Sequence, residues 1–165
     1  MMTRHRKLKY LGYSIVFQEV PNEITLAINI SGCPYKCEGC HSRYLWKYEG
    51  NYISDDLDFI INQNLDFVTC VCFFGGDQNM EELHTLLKYI KENYKIKTAL
   101  YSGRDYLEEL KQLFNVLDYI KIGSYKENLG GLNSKNTNQR MYIIKSDKSL
   151  EDITCKFRNR KGSIV

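Results

Sequence analysis

Short apolar runs alternate along this chain with longer amphipathic stretches, and the two kinds follow different periods. Residues 24–30 alternate in steps of two and are rich in β-branched side chains, which predicts a strand. Residues 54–64 open with Ser and Asp and then repeat apolar positions at helical spacing, which predicts a helix. Residues 67–74 form a second apolar, β-rich run, closed by Gly75-Gly76. Asn79 precedes a helix whose Leu83, Leu86, Leu87 and Ile90 fall on one face. Residues 97–101 predict a third strand, 105 to about 114 another helix, and 119–122 and 141–144 a fourth and fifth strand.

Strand, loop, helix, strand in this order is the pattern of βαβ units around a parallel sheet. Right-handed crossovers place such helices together on one side of a curving sheet. A closed eight-fold barrel takes about 250 residues, and this chain has 165. The expected fold is therefore α/β, an incomplete (partial) TIM-like (β/α) barrel of about five to six mostly parallel strands with helices outside. No Pro- or Gly-rich linker interrupts it, so a single domain over 1–165 is expected, its core at about 24–145 between basic N- and C-terminal segments. In such sheets ligands gather at the carboxyl ends of the strands. The residues to read are then the cysteine-bearing segment after the first strand, Gly75-Gly76-Asp77, Ser102-Gly103 and the segment from Gly123.

After the first strand stands Cys33-Pro-Tyr-Lys-Cys37-Glu-Gly-Cys40, with three and then two residues between the thiols. Thiols so spaced can converge on one metal centre. A structural zinc site is closed by four protein ligands, and an electron-carrying [4Fe–4S] cluster has a cysteine at each of its four irons. Three cysteines leave one iron open to a substrate. Of the other cysteines, Cys70 and Cys72 share one face of a strand and read as small buried hydrophobes. Cys155 has no partner motif; as a fourth ligand it would close the site. No leader-like apolar run precedes the cysteines, and the chain is long enough for an ordinary core, so a disulfide framework is not expected.

Composition narrows the function only slightly. Hydrophobic residues at 43% and charged residues at 26% fit a folded chain rather than a disordered one. The apolar runs are too short to cross a bilayer. A net charge of +3 names no partner, although cations crowd both ends, at Arg4, Arg6, Lys7 and Lys9 and at Lys156, Arg158, Arg160 and Lys161. Solvated tails are the plain reading; docking to an acidic protein surface or a nucleotide-rich partner is the functional one. Thirteen tyrosines are scattered without forming a stacking platform, so no nucleic-acid partner is expected.

The cysteine triplet resembles the cluster motif of the radical S-adenosylmethionine (SAM) enzymes, and Gly75-Gly76-Asp77 resembles their Gly-Gly-Glu motif. Within that superfamily the chain is most similar to the activating proteins of anaerobic (class III) ribonucleotide reductases. Gly39-Cys40-His41-Ser42 with Trp46, Tyr101-Ser102-Gly103 with Tyr106 to Leu110, and Asn138-Gln139-Arg140 carry that likeness, together with the short length. It departs at Asp77, one methylene shorter than Glu. Residues 18–23 lack a Gly-rich stretch with an Arg, and Lys121-Ile122-Gly123 stands where relatives have Asp-Gly.

The resemblance implies an enzyme with two cofactors, a [4Fe–4S] cluster on Cys33, Cys37 and Cys40, and SAM chelated to the open iron. Electron transfer to the sulfonium would release a 5′-deoxyadenosyl radical, which abstracts a Cα hydrogen from a glycine of the reductase. It further implies that His41, Gly75, Gly76, Asp77, Ser102, Lys121 and Asn138 contact SAM. Polar lining is the plain alternative for Ser102, Lys121 and Asn138, and an ordinary exposed histidine the plain alternative for His41. Tyr44 and Trp46 are candidates for covering the cluster or meeting the partner, with core packing as the plainer reading. The implied partners are anaerobic ribonucleoside-triphosphate reductase and an electron donor such as flavodoxin or ferredoxin, in an anaerobic cytoplasm. Other readings are an activase of the pyruvate formate-lyase type, a small-molecule radical SAM enzyme, and a non-catalytic Fe–S or zinc module. Residues 128–138, rich in Gly, Asn, Ser and Lys, read as a mobile loop that orders on the partner.

Overall fold

The computed structural model describes residues 5–158, so Arg4, Arg160 and Lys161 lie outside the described residues. Its strands are β1 (Lys9–Val16), β2 (Thr25–Ile30), β3 (Asn51–Tyr52), β4 (Cys70–Phe74), β5 (Lys97–Tyr101), β6 (Tyr119–Ile122), β7 (Arg140–Ile144) and β8 (Leu150–Asp152). Its α-helices are α1 (Ile53–Asn64), α2 (Met80–Asn93) and α3 (Cys155–Arg158). Short 3₁₀ helices occupy Arg43–Trp46 and Leu107–Leu113.

One open sheet holds all eight strands in the order β3-β1-β2-β4-β5-β6-β7-β8. The parallel part is confined to β2-β4-β5-β6. Antiparallel strands flank it on both sides. This corrects the expected five to six mostly parallel strands: the sheet is mixed and larger. The additional strands escape a pattern search for physical reasons. β1 carries Gly12 at φ +84° and a register shift between Tyr10 and Tyr13, which break its alternation. β3 and β8 are two and three residues long, too short for any period. The segment expected to be a helix from 105 is a 3₁₀ helix beginning at Leu107.

The pleat divides the core in two. Leu26, Ile28 and Ile30 of β2, Val71 and Phe73 of β4, and Leu100, Ile120 and Ile122 turn to one face, where they meet Leu57, Ile60 and Ile61 of α1 and Leu83, Leu87 and Ile90 of α2. Cys70, Cys72, Ala99, Tyr119 and Met141 turn to the other, covered by Val20, Ile153 and Phe157. Cys70 and Cys72 are fully buried, and burial pushes both thiols far up in pKa, so they stay protonated packing groups. Asn79 caps α2 as its sequence promises, its side chain accepting from the Glu82 N–H at 3.1 Å. The basic N-terminal segment is not free along its length: Lys9 belongs to β1, and its ammonium lies over the rings of Tyr48 and Tyr52.

At the end of the sheet remote from the carboxyl ends, Glu23 is buried. Its carboxylate accepts from Lys97 at 2.6 Å, from Tyr119 at 2.8 Å and from the Thr69 hydroxyl. Burial by itself raises the Glu23 pKa, but these bonds outweigh it and hold the carboxyl below its ordinary value of 4.5. A depressed folded pKa stabilises above the unfolded pKa, and the contribution is lost as pH falls through the folded value. Glu23→Gln should therefore cost about 1–3 kcal/mol at neutral pH and flatten the loss of stability below about pH 4.5. Urea unfolding of both proteins across that range checks it; parallel pH curves would show that Glu23 is not the coupled group.

Candidate functional site

The cysteine loop leaves the carboxyl end of β2 and returns along itself. The Gly32 N–H donates to the Lys47 carbonyl at 3.0 Å, the Cys33 N–H to Leu45 at 2.9 Å, and the Ser31 hydroxyl to the Glu49 carbonyl at 2.6 Å. Within it the chain reverses tightly, with Lys36 at φ +47° and Gly39 at φ +74°. Lys36 is one of few non-glycine residues in this left-handed region, where side chains crowd the backbone. Cys33, Cys37 and Cys40 are all half-buried and free. The Ser42 N–H donates to Cys40 Sγ at 3.3 Å, and burial raises the pKa of Cys33 against the pull of nearby backbone N–H groups.

A cavity of about 140 Å³ opens beside this loop at the carboxyl ends of the strands. Cys33, Tyr35, Cys40 and Trp46 border it from the loop, Gly75, Asp77 and Gln78 from the turn after β4, and Tyr101, Ser102 and Lys121 from β5 and β6. Sheet register explains the convergence. Asn29, Phe74, Tyr101 and Lys121 are paired across the four parallel strands, so the residues just past them meet at one mouth.

Asp77 is the best-held side chain there. It is 2% exposed, and its Oδ2 accepts from the Tyr35 hydroxyl at 2.7 Å, the Ser102 hydroxyl at 2.6 Å and Arg104 Nε at 3.0 Å. Its Oδ1 is buried with no hydrogen-bond partner, as is Nε1 of Trp46. Burial disfavours the Arg104 charge, but Tyr35, Asp77 and Glu109 hold its pKa above the ordinary value. Lys121 is buried too. Its Nζ donates to the carbonyls of Gly123 at 2.7 Å and Ser102 at 3.3 Å. Burial pushes its pKa down to about 8 against the opposing pull of Cys37, Asp105, Asp77 and Cys40.

The residues anticipated as a site are thus only partly gathered. Cys33, Cys40, Gly75, Asp77, Ser102 and Lys121 border the cavity, while Cys37, Gly76, His41 and Asn138 do not. Gly76, at φ +110°, lies instead against Leu83, Leu8 and Ile30. His41 is exposed, its ring centroid 5.8 Å from that of Tyr125. Asn138 donates to the Ser124 carbonyl at 2.9 Å and leaves its Oδ1 buried without a partner. Residues 128–138, expected as a mobile loop, form hydrogen-bonded turns: the Gly130 N–H donates to Lys126 and the Thr137 hydroxyl to Gly130. Tyr35 and Arg104 were not anticipated. Both stand within three residues of predicted ones, and a search for polar side chains flanking the strand ends finds them.

Among the described residues no three His, Cys, Asp or Glu side chains already stand close enough to hold a metal ion. The donor set nevertheless fits an iron–sulfur cluster by its chemistry. Three accessible thiols share one short, tightly turned loop, and the cavity beside them holds an orphaned carboxylate oxygen. Residues 24–144 match the family described as the 4Fe-4S single cluster domain. The chain belongs to that family and is an iron–sulfur protein. Among individual proteins it is similar to the anaerobic ribonucleoside-triphosphate reductase-activating protein of Enterobacteria phage T4, 28% identical over an alignment of 111 residues, with 61% of this chain and 70% of the phage protein covered.

Proposed function

We propose that this protein is a radical SAM activase that generates the glycyl radical of an anaerobic ribonucleoside-triphosphate reductase. The observation that carries the reading is one mouth shared by the cysteine loop and a buried carboxylate with a free oxygen, in a chain related to a named reductase-activating protein. When bound, the cluster and SAM supply a one-electron reduction that ends in hydrogen abstraction from a glycine.

The protein's part is to hold and orient. Cys33, Cys37 and Cys40 would hold the cluster as thiolates, and three protein ligands would leave it open to SAM. Gly75, without a side chain, lets the ligand approach backbone, and Gly76 shapes the turn that carries Asp77. The free Oδ1 of Asp77 would accept from the ammonium of SAM in a charge-assisted bond. Ser102 and the buried Lys121, which border the cavity, would serve the carboxylate of SAM, and His41 and Asn138, outside its lining, would serve the nucleoside. The open sheet reads as an incomplete barrel whose uncovered mouth admits a loop of a folded partner. Residues 128–138 tighten on that partner. Residues 1–165 act as one domain in an anaerobic cytoplasm, with flavodoxin or ferredoxin as the electron donor; among the described residues no helix is long and apolar enough to cross a membrane.

Electron paramagnetic resonance of the anaerobically reconstituted, reduced protein tests this directly. Addition of SAM should change the cluster signal, and the reductase with SAM should then develop a glycyl radical doublet. A signal indifferent to SAM moves the reading to a closed Fe–S or zinc module. A response to SAM with a radical on pyruvate formate-lyase instead, or on no protein, points to another activase or a small-molecule enzyme.

A further inference from the structure

Tyr35 stands between the first two cysteines, yet its hydroxyl is engaged 42 positions away, at Asp77 Oδ2. Its half-buried ring rests on Gly103. A Cβ built at position 103 would come within 2.7 Å of Tyr35 Cδ2, nearer than real Cβ atoms stand. Gly103 does not occupy the left-handed region, so the ring and not the backbone excludes a side chain there. Its neighbours Ser102 and Arg104 reach the same Asp77 oxygen that Tyr35 does. Three donors therefore saturate Oδ2, and a rotation of the carboxylate would break all three bonds at once. Asp has one methylene less than Glu with which to adjust, so its orientation is set by these donors.

We propose that Tyr35 is a positioning residue for the ligand: its hydroxyl, seated by the bare Gly103, ties the cysteine loop to Asp77 and keeps Oδ1 turned to the incoming ammonium group. This rests on the reading of the cavity as a SAM site. Tyr35 acts through Asp77 and touches no reacting atom.

Equilibrium dialysis of SAM against the reconstituted full chain tests the assignment, with iron content and the resonance signal measured alongside. Tyr35→Phe should weaken SAM binding about 5–20-fold, with iron content and the signal without SAM unchanged. Gly103→Ala, which displaces the ring, should reproduce it. Asp77→Asn should weaken binding at least as much, and the double variant Y35F/D77N should lose no more than about twofold beyond D77N, because the two act on one contact. Binding by Tyr35→Phe within twofold of the unaltered protein would overturn the assignment. So would losses that multiply in the double variant, or iron content falling in step with affinity, which would make Tyr35 loop scaffolding only. Failure of the underlying reading shows differently: the unaltered protein would then bind no SAM.

Discussion

Serine in place of any one of Cys33, Cys37 or Cys40 should cut bound iron after anaerobic reconstitution from about four atoms per chain to below about one, and abolish the reduced-cluster signal. A site with three protein ligands has no spare thiolate to compensate. Cys155→Ser should leave both readouts intact, since Cys155 is exposed on α3 and outside the cavity. Iron assay and electron paramagnetic resonance on the four variants decide it. Loss of iron in Cys155→Ser would mean four thiolates close the cluster, leaving no corner for a ligand.

The second large effect is on stability. Phe73 is fully buried between β4's neighbours and the helices, and heads the largest side chains of the core. Phe73→Ala should cost about 3–5 kcal/mol through lost burial and the cavity left behind, a large share of the 5–15 kcal/mol that holds an ordinary domain together. Phe67→Ala, at a position 65% exposed, should change stability by less than about 0.5 kcal/mol. Urea unfolding compares them. Because β4 delivers Gly75 and Asp77 to the mouth, SAM affinity of Phe73→Ala should fall even where the variant remains folded.

The parts of the fold that were legible are those whose signals are repeated. The strand at 24–30, the helix of Leu83, Leu86, Leu87 and Ile90 and its Asn79 cap each show several residues obeying one period. β1 was not legible, because Gly12 and an irregular register disturb its alternation and none of its residues is fully buried. The 3₁₀ helix at Leu107–Leu113 shares its residue types with an α-helix, so spacing alone does not separate them. In the site, the cysteine spacing and the glycine pair advertise themselves locally. The Tyr35–Asp77–Arg104 contacts do not, since each links positions 27 or more apart and exists only once the sheet has set the register.

An open sheet has two free margins, and here they differ: β3 covers only Lys9 and Tyr10 of β1, so among the described residues no strand pairs with the outer side of residues 11–16. β3 offers two residues and β8 three. The β8 margin also carries Glu151 and Asp152, within 3.7 Å of Lys145 and 4.0 Å of Arg140. A neighbouring copy seeking to extend the ladder at β8 meets a run of three residues and charges it would have to strip of water. Lateral pairing is thereby discouraged along the β8 margin, where a short, charged outer strand serves as a stop to the ladder.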